Sequence, residues 1–92
     1  MAILSVSEFE AVINQVAMRL EKILSARGSV PPVETAIRDL RRIFAAARQP
    51  GKLKPLRAVV DQVTELVGRE IPDDTAVLEQ LWDLADYVDY RA

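Results

Sequence analysis

The chain has 92 residues and contains neither cysteine nor histidine. Without cysteine there is no disulfide framework and no thiolate chemistry. Without histidine the usual general base and the commonest metal ligand are missing. Glycine is scarce, at three residues, and no glycine-rich phosphate loop is present. There is no D-x-[DN]-x-[DN]-G loop, so an EF-hand is excluded at its most specific position. No apolar run approaches the ~18 residues of a membrane span. The opening Met1-Ala2-Ile3-Leu4-Ser5 has no basic n-region, so it does not read as a secretory signal. These absences point to a reduced, cytoplasmic setting, with no cofactor, no metal and no enzyme activity.

What is present suits packed helices. Half of the residues are apolar, and the length fits one domain, residues 1–92. Helical periodicity predicts helices over about 7–27, 33–48, 55–67 and 74–90. The first has a capping-box pattern at Ser7-Glu8-Phe9-Glu10 and the stripe Phe9, Val12, Ile13, Val16, Ala17, Leu20, Ile23 and Leu24, with Gly28 just beyond its end. Ala2, Ile3 and Leu4 either staple back onto this helix or form an apolar tail. Ser29-Val30-Pro31-Pro32 reads as the first connection. The second helix carries Val33, Ala36, Ile37, Leu40, Ile43, Phe44 and Ala47, and Gln49-Pro50-Gly51 ends it. The third opens at Pro55 and carries Leu56, Val59, Val60, Val63, Leu66 and Val67. Valines favour strand, but the i, i+3, i+4, i+7 spacing decides for helix, closed by Gly68. Asp73, Asp74 or Thr75 caps the last helix. Short connections make successive helices antiparallel, so the expected fold is all-α, a compact four-helix bundle or close variant.

Charge is uneven along the chain. Residues 38–57 carry Arg38, Arg41, Arg42, Arg48, Lys52, Lys54 and Arg57 against Asp39 alone. Residues 70–90 carry Glu70, Asp73, Asp74, Glu79, Asp83, Asp86 and Asp89 with no base. Either the two segments pack together and neutralise each other, or they form separate faces that steer a charged partner.

The last helix is where function is best sought. Val77, Leu81, Leu84, Ala85 and Val88 form its apolar stripe, while Glu79, Asp83, Asp86 and Tyr90 fall opposite. Trp82 sits at the rim, with Asp86 and Asp89 beside it, where a ring serves either as core filler or as an interface anchor. Aromatics beside a charged rim are the composition of interface hot spots. Glu79, Trp82, Asp83, Asp86, Asp89 and Tyr90 are therefore the expected partner-binding residues. Paired carboxylates on a solvated helix face lack the burial that raises a general acid's pKa. The basic segment lacks free interleaved aromatics, because Phe44 belongs to a stripe, so no nucleic acid is expected. No membrane partner is expected either, since the apolar faces are needed for the bundle.

Order and spacing from residue 33 onward carry a resemblance. Ile37-x-x-Leu40-x-x-Ile43 on one helix is followed by a polar turn, then by Leu56 with Ala58-Val59, then by Arg69-Glu70-Ile71. An aspartate-containing turn leads to a final helix ending Ala85-Asp86-Tyr87-Val88. This resembles the small all-helical immunity proteins that neutralise NAD(P)-degrading toxins delivered by bacterial type VI secretion. The resemblance spans about residues 33–90; Val30-Pro31-Pro32 and the basic segment Arg48 to Arg57 have no counterpart in it. It implies a cytoplasmic, non-catalytic protein that binds a cognate toxin and blocks its active site. It assigns no individual residue. The alternative is a helical adaptor module that binds other proteins or a second copy of itself.

Overall fold

The computed structural model describes residues 3–91. Four long helices, α1 (Val6–Arg27), α2 (Pro31–Ala46), α4 (Arg57–Glu70) and α5 (Thr75–Arg91), carry the fold. A short α3 (Pro50–Leu53) and a 3-10 turn (Lys54–Leu56) link α2 to α4. There is no strand among the described residues. The fold is an all-α four-helix bundle.

The N-cap of helix α1 lies two residues before the expected Ser7, and the helix starts at Val6. Its N-cap is Ser5, whose Oγ accepts from the Glu8 backbone N–H at 3.2 Å. The Leu4 N–H donates to Glu8 Oε2 at 3.1 Å. The capping box is thus Ser5-Val6-Ser7-Glu8, with Ser7 already inside the helix. Ile3, just before the cap, is buried in the core, whereas Leu4 is exposed. Of the apolar trio at this end, Ala2 lies outside the described residues. At the other end Gly28 takes φ 84°, and its N–H caps the Leu24 carbonyl at 2.7 Å.

Two proline positions also differ from expectation. Pro31 and Pro32 open α2 rather than precede it, since proline's missing N–H costs nothing in a first turn. Pro50 starts α3 rather than only ending α2. Helix α4 runs two residues past Gly68, to Glu70, so that glycine does not terminate it. In α5 the cap is Asp74, whose Oδ1 accepts from the Val77 N–H at 3.3 Å.

The helices pack in the cyclic order α1, α2, α4, α5, with α1 closing on α5. Helices α2 and α5 therefore stand at opposite corners. The 22 residues of α1 rise about 33 Å at ~1.5 Å each, which accounts for the 36 Å long axis. Phe9, Leu20, Leu40, Ile43, Val63, Leu81 and Leu84 are fully buried at the centre. Among the described residues every buried side chain is apolar or aromatic. The ion pairs are all on the surface, where each contributes at most ~1 kcal/mol, so apolar burial holds the bundle together. No helix among the described residues is long and apolar enough to cross a membrane.

Candidate partner-binding surface

Helix α5 is fixed on three sides. Its stripe, Val77, Leu81, Leu84, Ala85 and Val88, is buried as periodicity required. Toward α1, Tyr87 stacks on Phe9 with ring centroids 4.4 Å apart and planes at 26°. Gln80 Nε2 donates to Gln15 Oε1 at 2.9 Å. Toward α4, Asp89 accepts from Arg57 Nε at 2.8 Å and from Arg57 Nη2 at 3.4 Å. Arg57 also pairs with Asp61, one turn along α4. Asp89 first, then Asp61, hold its guanidinium above the usual arginine value.

The fourth side faces outward. At ~100° per residue, Glu79, Trp82, Asp83, Asp86, Asp89 and Tyr90 share an arc of about 120°. The structure brings all six onto one surface. Trp82 is 59 % exposed and Tyr90 is 84 % exposed, so neither is core filler. Glu79 and Asp86 are exposed and Asp83 is half-buried. None of these three carboxylates is ion-paired among the described residues, whereas Asp89 is held by Arg57. Tyr87, three residues before Tyr90, belongs to the core. Its ring falls on the α1 side of the helix, where Phe9 meets it.

Three cations of the basic segment find acids away from α5. Arg41 pairs with Glu21 at 2.6 Å and Arg48 with Glu10 at 2.9 Å, both on α1. Arg42 reaches Asp39 on its own helix at 3.5 Å. Among the described residues Arg57 alone of that segment pairs with an acid of α5. Opposite corners of a bundle cannot neutralise each other, and α2 and α5 occupy opposite corners. At its start α5 is tied down by Asp74, which pairs with Arg19 at 2.8 Å.

Two further apolar residues are exposed: Phe44, expected in a buried stripe, and Leu4, for which the sequence leaves both a staple and an apolar tail open. Phe44 is exposed at the edge facing α1, beside Ile13, Asn14 and Ala17. Leu4 is 80 % exposed and lines an apolar groove of about 360 Å³ with Ile3, Asp86, Tyr87 and Tyr90. Recognising Ser5 as the cap would have flagged Leu4, since it then directly precedes the helix. A second groove of about 390 Å³ lies where α1 meets the α4–α5 turn. Arg19 pairs there with Asp74, and Arg27 Nη1 donates to the Glu70 backbone carbonyl.

Among the described residues no three acids converge closely enough to hold a metal ion. The α5 carboxylates form a row along the helix rather than a cage. Such a row can meet cationic groups of a partner, with Trp82 and Tyr90 supplying contact area. No protein-family model, no curated protein and no solved structure matches the chain.

Proposed function

We propose that the chain is an immunity-type protein that binds a cognate bacterial toxin domain and blocks its active site. One observation carries this reading. Glu79, Asp83 and Asp86 stand free of ion pairs among the described residues, between exposed Trp82 and Tyr90, on one face of α5. A toxin that handles NAD(P) holds phosphates with positive charge. A row of carboxylates presents the same sign as that substrate and accelerates encounter with such a site. Trp82 is the anchor and the carboxylates meet basic groups of the toxin. The resemblance across residues 33–90 supports the same reading, with type VI delivery as the toxin's route and the cytoplasm as the place of neutralisation. In this reading the chain performs no catalysis and binds neither nucleic acid nor membrane.

The test is a growth assay. The protein encoded by the neighbouring gene is expressed alone and together with this chain. Killing by the neighbour, loss of intracellular NAD(P) and rescue by this chain are expected. A harmless neighbour, or one that kills regardless, would sink the reading. With the toxin in hand, Trp82→Ala is expected to weaken binding by about 2 kcal/mol or more, and Asp86→Arg to slow association. Unchanged kinetics for Asp86→Arg would remove this face from the interface.

A second reading, an adaptor that pairs with its own copy, draws on Leu4 and Tyr90 at the apolar groove. It predicts a molecular mass that rises with concentration in light scattering. A constant monomer mass across a dilution series excludes it.

A further inference from the structure

The outer face of α5 does not end in solvent. At its last turns it runs into the groove formed with the chain entering α1, whose walls are Ile3, Leu4, Asp86, Tyr87 and Tyr90. We propose that this groove receives one large apolar or aromatic side chain of the partner protein, and that lysine or arginine residues flanking it pair with Asp86, Asp83 and Glu79. The inference rests on reading α5 as the partner face and adds what the partner must present.

Shape and charge specify this occupant together. Isolated exposed apolar residues are ordinary, but Leu4 and Tyr90 project from two different elements onto the same groove. Its volume of about 360 Å³ lies at the low end of the ~300–1,000 Å³ range of ligand pockets. That space accommodates one large side chain. Among the described residues of the lining Asp86 alone is charged, and Asp83 and Glu79 continue its row back along the helix. The acids flanking this row are satisfied internally, Asp74 by Arg19 and Asp89 by Arg57. Arg57 is itself divided between Asp61 and Asp89. No described residue supplies a cation to Asp86, Asp83 or Glu79, so the row is open to one from another molecule.

The helix also sets the spacing. At ~1.5 Å per residue, Asp83 lies about 4.5 Å and Glu79 about 10.5 Å along the axis from Asp86. An extended partner segment advances about 3.3 Å per residue. Its basic residues then fall roughly one to three positions from the apolar anchor. A phosphate-bearing ligand is repelled by the same row.

The test is an NMR titration of the full chain with two amidated tetrapeptides, Lys-Trp-Lys-Lys and its charge-reversed counterpart Glu-Trp-Glu-Glu. The basic peptide is expected to move the backbone signals of Leu4, Asp83, Asp86 and Tyr90, and to bind at least about tenfold tighter than the acidic one. Asp86→Asn should weaken it about threefold. The exposed-site variants Leu4→Ser and Tyr90→Ala should weaken it further without unfolding the bundle. The proposal is overturned by equal binding of the two peptides, by shifts on another face, by no shifts, or by indifference to Tyr90→Ala. It is equally overturned if the same signals move with protein concentration alone, because a second copy then fills the groove. The growth assay separates the two readings. Rescue without peptide binding removes only the groove assignment; peptide binding without rescue removes the immunity reading and leaves the groove.

Discussion

Gly68→Ala should make the protein more stable, and the sign of that change tests where α4 ends. Gly68 is the third residue from the end of a helix that continues to Glu70. Its φ is not positive; Gly28 holds the positive-φ position among the described glycines. Glycine inside a helix costs ~0.8–1 kcal/mol relative to alanine, because it loses more backbone freedom on folding. An alanine Cβ at 68 would meet Leu78 Cδ2 of α5 at 3.7 Å, an ordinary van der Waals contact that adds a little burial and no strain. Fraying near the helix end reduces the gain, so about 0.5–1 kcal/mol is expected. For a domain of this size that raises Tm by about 2–8 °C. Urea and thermal unfolding followed by circular dichroism would measure it. A loss of about 1 kcal/mol instead would mean that Gly68 terminates the helix in a left-handed conformation, and the reasoning would be refuted. Gly28→Ala is the internal control. Nothing lies within 4 Å of an added Cβ there, yet φ 84° and ψ −163° should cost ~1–3 kcal/mol through backbone strain alone.

The cap assignment predicts that Ser5→Ala destabilises by ~1 kcal/mol while Ser7→Ala changes stability by less than ~0.5 kcal/mol; denaturant midpoints compare them, and the reverse order would restore Ser7 as cap. Tyr87→Ala should cost ~3–5 kcal/mol by removing the ring stacked on Phe9, whereas Tyr90→Ala should leave folding within ~0.5 kcal/mol. Equal effects in the same unfolding assay would contradict their opposite burial. Asp89→Asn weakens one arm of the Arg57 fork and should cost at most ~1 kcal/mol, less at high salt. Because Arg57 is shifted upward, its stabilising charge is fully present below the ordinary arginine value and is lost only as pH rises through the still higher folded value. No pH dependence from this group is therefore expected near neutrality; a stability curve that varied between neutral and mildly alkaline pH equally in the wild type and in an Arg57→Lys variant would point to other groups.

Much of the fold was legible in local pattern. The stripes of α1, α2, α4 and α5 repeat at helical spacing, and apolar residues at that spacing have one way to leave water, which is to face a common core. The exposure of Glu79, Asp86 and Tyr90 followed from the same periodicity, since residues opposite a buried stripe must face out. Helix boundaries were less legible. Ser5 and Ser7 both satisfy the cap chemistry, and the choice fell to Ser5 because burying Ile3 pulls the chain entry onto the core. Gly68 reads as a stop by composition, but α5 packs against α4 there, and tertiary contact carries the helix onward to Glu70.

The amino-acid sequence by itself determined that this is an all-α bundle with an acidic, aromatic last helix. Periodicity and composition are local properties, readable without neighbours. Only the tertiary structure decided which charges cancel and which flank of α5 beyond its stripe is covered. Tyr87 and Tyr90 lie three residues apart on one helix, and their different fates depend on Phe9 of α1 covering the first and nothing among the described residues covering the second. Asp86 and Asp89 are likewise neighbours in sequence, yet α4 delivers Arg57 to one and not to the other. The free acidic row exists because α2 and α5 occupy opposite corners, an arrangement set by packing across the whole bundle.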